Sequence, residues 1–260
     1  MLELWPSISI DYTEIQQNKK KLNEIVDGTF SVLIIENFYD VNSCNTIIQR
    51  INSKTKNQDN MTKIGISLVS YANRKKDYFI QANIIRKTLR DIFFEIQDPR
   101  KKIHDLLGEF FPNKEISIAV EKGKKYACGI IRLHGLEDSA SLHRDNVSYE
   151  AKNFNVSKFP IQLSAVLYIQ QSEKGGELVL YRKPWEKSDE RYRNIEFGYK
   201  REVVANSTQH VKIKPSQGDL VIINPNYYHE ILPVKGSKRR ITLGLFLAFS
   251  KYGKKIVTWS

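Results

Sequence analysis

The sequence predicts a mainly β protein with flanking α-helices: a jelly-roll core of two facing sheets, buttressed by helices from its amino-terminal third. Three observations predict it. From Ile116 onward the chain breaks into eight apolar stretches of strand length separated by turn residues, and eight strands suit a double-sheet jelly roll. Before Ile116, apolar residues recur mostly at helical spacing. Finally, 260 residues without an internal repeat or low-complexity tract suit one domain with one sizeable core. The expected organisation is therefore a single domain over 1–260, with 1–112 as mainly helical support and 113–260 as the jelly roll, interrupted by an insertion at 182–210.

Taken in order, the residues around Tyr12 to Val26 read as a polar helix, and Gly28-Thr29 then turns the chain into a strand at Phe30 to Ile35. Asp40 or Asn42 can cap a helix running through Ile51, whose apolar stripe is Cys44, Ile47, Ile48 and Ile51. Gln81 to Gln97 and Arg100 to Phe111 continue the helical reading, divided by Asp98-Pro99. The strand candidates are Ile116 to Glu121, Tyr126 to Leu133, Ile161 to Ile169, Glu177 to Tyr181, Val211 to Lys214, Leu220 to Ile223, Arg240 to Phe249 and Lys255 to Trp259. Three long stretches, Asn52 to Asn73, His143 to Pro160 and Arg182 to His210, read as irregular, and loops of that length tend to be functional.

Composition narrows the function. Cys44 and Cys128 are the only cysteines, too few for a disulfide framework, which points to a reducing cytoplasm. No apolar run approaches the ~18 residues needed to span a bilayer, and Met1 to Pro6 lacks a signal-peptide pattern, so no membrane partner is expected. The net charge of +12 resides in dispersed clusters, chiefly Lys19-Lys20-Lys21, Arg74-Lys75-Lys76, Arg100-Lys101-Lys102 and Lys122 to Lys125. Dispersed clusters read as solvated faces, and without a groove-reading motif nucleic acid is not expected as a partner.

Chemistry concentrates in His143-Arg144-Asp145 and His229. Side chains two apart on an extended segment project to one face, so His143 and Asp145 converge while Arg144 points elsewhere. His229 follows the apolar run Leu220 to Ile223, a strand distant in sequence that can carry it alongside. Two imidazoles and one carboxylate suit ferrous iron and leave further coordination positions open. Zinc is the weaker alternative, because no thiolate or third histidine lies nearby. Downstream, Arg240 enters an apolar strand and calls for an anion there. Thr242 shares its face and can add a hydroxyl donor, and Arg239 falls on the other side. A dicarboxylate that chelates the metal at one end would give Arg240 a bidentate partner at the other.

His143-x-Asp145, Gln162 to Ile169, Gly175-Gly176-Glu177-Leu178, Gly218-Asp219-Leu220, His229 and Arg240-x-Thr242 together resemble the iron(II)- and 2-oxoglutarate-dependent oxygenases, in the branch containing the prolyl hydroxylases. The likeness spans residues 126–249. It implies a double-stranded β-helix of cupin-like form, with His143, Asp145 and His229 as metal ligands and catalytic centre. It also implies that Arg240 forms the salt bridge to the far carboxylate of 2-oxoglutarate and that Tyr168 donates to it. Iron(II), 2-oxoglutarate and dioxygen would be consumed or held, with ascorbate as an expected stimulant.

Tyr181 to Glu186 and Phe197 to Lys200 are similar to an insertion in free-standing hydroxylases and halogenases of amino acids and alkaloid-like intermediates. The resemblance implies that halogenases carry a small residue where this chain has Asp145, so hydroxylation of a small molecule is the expected reaction. A peptidyl hydroxylase and a non-catalytic iron or 2-oxoglutarate sensor are the alternatives. In the insertion, Trp185, Tyr192, Phe197 and Tyr199 either close over the metal as an aromatic lid or pack the insertion onto the barrel. Arg132 and His134 alternate with Leu133 and can both face the cavity. With Trp185, Tyr199 and Asn146 they are the candidate substrate contacts, while Tyr149 and Glu150 follow close by. His104 and His210 read as packing or surface residues. Oligomeric state is not encoded in any of these features.

Overall fold

A computed structural model describes residues 4–55, 62–195, 198–205 and 209–260. Its centre is a nine-stranded mixed sheet. In spatial order, Ile8–Asp11 is followed by Val32–Glu36, Leu220–Ile223, Ile161–Gln170, Arg240–Phe249, Lys255–Trp259 and Glu115–Ile118. Ile130–His134 pairs with the first half of Arg240–Phe249 and in turn with Lys63–Ile64. A second sheet of four antiparallel strands runs His210–Ile213, Leu178–Pro184, Tyr227–Ile231 and Ala140–His143.

Period-two alternation divides the large sheet into two apolar faces. Leu33, Ile35, Leu163, Ala165, Leu167, Leu220, Ile222, Leu243 and Leu247 pack outward against the helices Val41–Thr55 and Pro99–Phe110. The intervening Val32, Val166, Tyr168, Val221 and Ile223 turn inward against Leu178, Leu180, Ile213 and Ile231 of the small sheet. This two-sided burial accounts for near-continuous apolar strands such as Leu220–Ile223. It also leaves one interior, between the sheets, where polar side chains can be held among apolar ones.

Several boundaries differ from the sequence reading, each for a local reason. The expected helix from Tyr12 to Val26 is a 3-10 turn, Tyr12–Gln17, capped by the Asp11 carboxylate, followed by a short helix, Lys21–Val26. Before it, Ile8–Asp11 forms a parallel edge strand, so the first 112 residues give the large sheet strands as well as covering it with helices. The Asp40 carboxylate accepts from the Ser43 amide, which starts the next helix at Val41, and that helix continues past Ile51 to Thr55. The third helix spans Lys75–Ile92, where Gln81 to Gln97 was expected; Glu95, with φ +57, takes the left-handed conformation that follows a helix end. Asp98 caps Pro99–Phe110, with the proline in the first turn where its missing N–H costs nothing.

The expected Tyr126 to Leu133 strand begins only at Ile130, and the Ile116 to Glu121 candidate divides into Glu115–Ile118 and Val120–Glu121. Ala140–His143 and Tyr227–Ile231, which carry the two site histidines, are strands absent from the eight candidates. Within the insertion, the described residues form the 3-10 turns Lys187–Tyr192 and Arg201–Val204 and a small hairpin; Phe197 lies outside the described residues. No helix among the described residues is long and apolar enough to cross a membrane. The basic clusters are spread over separate surfaces, with Lys75 pairing with Glu121, Arg100 with Asp98, and Lys102 lying over the Tyr12 ring. Both cysteines are buried and free.

Candidate active site

His143 and His229 are register partners across the antiparallel pair Ala140–His143 and Tyr227–Ile231. This register brings their ring centroids to 4.2 Å. Each ring's Nδ1 donates to the carbonyl two residues before it, Ser141 at 2.7 Å and Tyr227 at 2.9 Å. Those bonds fix the tautomer and leave Nε2 of both histidines as the free lone-pair donor. Asp145 sits just beyond the first strand, where its amide donates to the Pro225 carbonyl at 2.8 Å. Its Oδ2 is then 3.5 Å from His229 Nε2.

One ligand atom from each of the three residues lies within 4.8 Å of the others, close enough to share a single ion. Electrostatics favour ligation. Burial, reinforced by His229, pushes the His143 imidazole down to about 4, so it is neutral near pH 7. Burial alone would raise the Asp145 carboxyl, but the neighbouring His229, His143 and Arg132 bring it down to about 2. Two imidazole nitrogens and one carboxylate oxygen are the donor set that suits ferrous iron.

In the same interior between the sheets, on the inner face of the large sheet, lies a buried cation. Arg240 is 3 % exposed, and its Nη2 donates to the Tyr168 hydroxyl at 2.9 Å. Tyr168 is the register partner of Thr242, which is also buried. Arg240 Nε has no hydrogen-bond acceptor, and no ion pair to Arg240 is found among the described residues. A buried guanidinium in that state is an anion site waiting for its anion. Gly176 makes the space: its φ is +68, and a Cβ there would stand 2.6 Å from Ser172 Oγ and 3.2 Å from Arg240 Cδ. The residues present thus fit both a ferrous ion and a dicarboxylate bridging it to Arg240.

The remaining expected contacts divide between two faces. Ile131 and Leu133 pack toward the helices, so Arg132 and His134 turn to the interior, opposite Thr242 and Arg240. Burial, Arg240 and Arg132 hold His134 down to about 4, and its Nδ1 is buried without a partner. Asn146 is engaged elsewhere. Its carbonyl oxygen caps a short helix at the Tyr149 amide, and its NH₂ donates to Asn226.

Trp185 and Tyr199 do not form a lid over the triad. Tyr199 packs with Leu142, Tyr228, Val203 and Val204, and Trp185 and Tyr192 border that cluster. Leu142 and Tyr228 each precede a triad histidine and so point away from it. The insertion therefore covers the outer face of the small sheet. Trp185 Nε1 and the Tyr199 hydroxyl both donate to Glu190 Oε1.

Two residues whose role the sequence reading did not assign hold the insertion there. Arg144 has a fully buried side chain, stacked 4.3 Å from the Trp185 ring centroid and paired with Glu150 at 3.0 Å and Glu190 at 3.4 Å. Glu230, also buried, accepts from Tyr181 at 2.6 Å and from Arg201 at 2.7 Å. Their signal in the sequence is adjacency: each neighbours a candidate ligand, and alternation sends it to the opposite side. His104 bonds Thr258 within the packing, as expected of a structural histidine.

Comparison with known proteins agrees with this geometry. The model of a family described as carrier-protein-independent halogenase WelO5 matches residues 4–260. A leucinostatin biosynthesis cluster protein S of Purpureocillium lilacinum is 26 % identical over 209 residues, 76 % of this chain and 84 % of that one. An L-gamma-glutamyl-L-propargylglycine hydroxylase of Streptantibioticus cattleyicolor is 28 % identical over 165 residues, 63 % of this chain and 59 % of that one. Among solved structures, an N-substituted L-amino acid dioxygenase of Burkholderia ambifaria superposes with a TM-score of 0.60 at 16 % identity, covering 93 % of this chain and 91 % of that one. At that identity the likeness speaks for the shared fold.

Proposed function

Because the chain belongs to the carrier-protein-independent halogenase WelO5 family, matched over residues 4–260, we propose that it is an iron(II)- and 2-oxoglutarate-dependent oxygenase that hydroxylates an unactivated C–H bond of a small molecule, an amino acid or a biosynthetic intermediate. The observation that carries this reading is the convergence of His143, Asp145 and His229 within 4.8 Å, facing the same interior as a buried Arg240 whose Nε has no acceptor among the described residues. The carboxylate at Asp145 favours hydroxylation over halogenation, since it fills the coordination position a halide would need. The hydroxylase named among the relatives supports a small amino-acid-like substrate.

Each residue's task follows from its place. His143 Nε2, His229 Nε2 and one Asp145 oxygen would hold the ferrous ion on one face, and the Ser141 and Tyr227 carbonyls keep both imidazoles in register for it. Arg240, with the hydroxyls of Tyr168 and Thr242, would bind the far carboxylate of 2-oxoglutarate and set its angle of approach. When bound, the metal and co-substrate supply reduction of dioxygen coupled to decarboxylation of 2-oxoglutarate to succinate, and with it the oxidising power for a C–H bond. Val166, Leu180 and Ile231 give the interior between the sheets its apolar walls.

The test is a mass-spectrometric screen of amino acids, their acyl and nucleotide conjugates, and short peptides, with ferrous iron, ascorbate and 2-oxoglutarate. The reading expects succinate to form in step with one product heavier by a single oxygen from a small molecule. Turnover of peptides alone would move the activity to protein side chains. Tight 2-oxoglutarate binding with no product from any compound would favour a sensor.

A further inference from the structure

A closed ring of four charges joins the insertion to the segment that carries Asp145. Arg144 pairs with Glu150 at 3.0 Å, Glu150 with Arg193 at 2.8 Å, Arg193 with Glu190 at 2.8 Å, and Glu190 with Arg144 at 3.4 Å. Two arginines alternate with two glutamates, so the ring is neutral as a whole and each charge touches two of opposite sign. Glu150 ends the short helix Val147–Glu150, which the Asn146 side chain caps. The Arg144–Glu150 pair therefore closes a loop of chain within which Asp145 lies. Glu190 and Arg193 belong to the insertion, in the turn Lys187–Tyr192 and the hairpin strand Arg193–Ile195. The Arg144 side chain is fully buried among these groups, with Trp185 at 4.3 Å and Tyr149 at 5.0 Å from its guanidinium. Alternation puts it on the side of the chain opposite His143 and Asp145, so any effect on the ion passes through the backbone they share.

We propose that Arg144 is a positioning residue for the metal site: held between Glu150 and Glu190, it sets the angle at which the Asp145 carboxylate meets the ion, and the insertion serves the ion from behind the small sheet. This rests on the function proposed above and gives the insertion a task within it. The two imidazoles are register partners in paired strands, so the sheet itself aligns them. Asp145 stands beyond the strand Ala140–His143, where its amide bonds the Pro225 carbonyl. Rotation of the chain at Arg144 and Asp145 would swing the carboxylate away from the imidazoles. The ring opposes that rotation, because Arg144 cannot turn without parting a buried charge from two carboxylates, and an uncompensated buried charge is costly. Arg144 is also gripped by aromatic rings, and a planar guanidinium stacked and paired at once has one orientation that satisfies both. Groups that orient a metal ligand are typically worth about ten- to a hundredfold in metal affinity.

The experiment measures the manganese(II) affinity of the full chain by competition with a chelating dye, beside the denaturation midpoint, at a temperature where circular dichroism shows each variant folded. Arg193→Met opens the ring within the insertion, at a partly exposed side chain away from the ligands. It should lower manganese affinity about tenfold, and Arg193→Lys should recover part of the loss. Lys183→Met is the control. Lys183 pairs with Asp189 at 3.1 Å in the same insertion but outside the ring, so its loss should lower the midpoint and leave affinity within about twofold of wild type. Unchanged affinity in Arg193→Met, or equal affinity losses in Arg193→Met and Lys183→Met, would overturn the inference by making the ring an element of stability alone. If Arg193→Met fails to fold, Arg193→Lys and Glu190→Gln decide by the same measurement: a loss of about threefold or more in both supports the inference, and wild-type affinity in both overturns it. A wild-type chain that binds neither manganese(II) nor iron(II) would overturn the underlying function and this inference with it.

Discussion

The Arg144 guanidinium stacks 4.3 Å from the Trp185 ring centroid, on the side of the chain opposite the His143 and Asp145 that flank it. Tyr149, at 5.0 Å, is a second aromatic neighbour of the same guanidinium, and Glu150 and Glu190 neutralise it. Glu230 repeats the arrangement on the partner strand, where it adjoins His229 and pairs with Arg201 of the insertion. Both strands that lead into the candidate trio are thus tied through their outer faces to the same insertion.

Arg144→Ala should destabilise the protein by roughly 2–4 kcal/mol, because Glu150 and Glu190 lose their buried partner and Trp185 its stacked cation, discounted for the partial exposure of both carboxylates. Chemical denaturation measures it as a lower midpoint with an unchanged slope. A midpoint within error of wild type would mean that the insertion is not anchored through Arg144.

Arg240→Ala should weaken 2-oxoglutarate binding by roughly 2–5 kcal/mol, since the far carboxylate would be buried without its charged partner. Tyr168→Phe removes one hydroxyl hydrogen bond and leaves the guanidinium in place, so it should cost less, about 1.5 kcal/mol. Calorimetric titration of the manganese-loaded protein distinguishes the two, and equal losses would contradict the division of roles between guanidinium and hydroxyl.

The strands that build this berth were legible in the sequence. Arg240–Phe249, Lys255–Trp259 and Leu220–Ile223 have the bounds that apolar runs between turn residues predict. Ile8–Asp11 was hidden because it offers only two apolar positions and its partner, Val32–Glu36, is parallel and distant. Ala140–His143 was hidden for a related reason: it buries only Leu142 and owes its register to Tyr227–Ile231. The convergence of His143 and Asp145 could be read because alternation needs only a local extended segment. The destination of Trp185 and Tyr199 could not, because an aromatic residue in an insertion packs equally well on either face of a sheet, and only tertiary contacts choose.

Gly176→Ala should lower 2-oxoglutarate affinity together with stability. The new methyl would stand 2.6 Å from Ser172 Oγ and 3.2 Å from Arg240 Cδ, at a φ of +68 that L-residues resist. The backbone cost alone is about 1 kcal/mol or more. A control, Gly108→Ala, meets no atom within 4 Å and should leave both quantities unchanged or slightly improve stability. Comparable losses in the two variants would contradict a specific role for Gly176 beside Arg240.

Asp145→Ala should abolish hydroxylation and weaken ferrous-ion binding while leaving the fold intact, because it removes the anionic donor and touches no core contact. Product formation by mass spectrometry and metal affinity by competition with a chelating dye check both. Wild-type turnover in this variant would rule out the carboxylate as a ligand.

The central claim is that one ferrous ion sits among His143, Asp145 and His229 and is chelated by 2-oxoglutarate held on Arg240. Anaerobic absorption spectroscopy tests it most directly. Addition of iron and then 2-oxoglutarate should raise a visible metal-to-ligand charge-transfer band that saturates at about one ion per chain, is absent in His229→Ala, and needs more 2-oxoglutarate in Arg240→Ala. Iron bound with no such band, or a band of full strength in His229→Ala, would contradict the account.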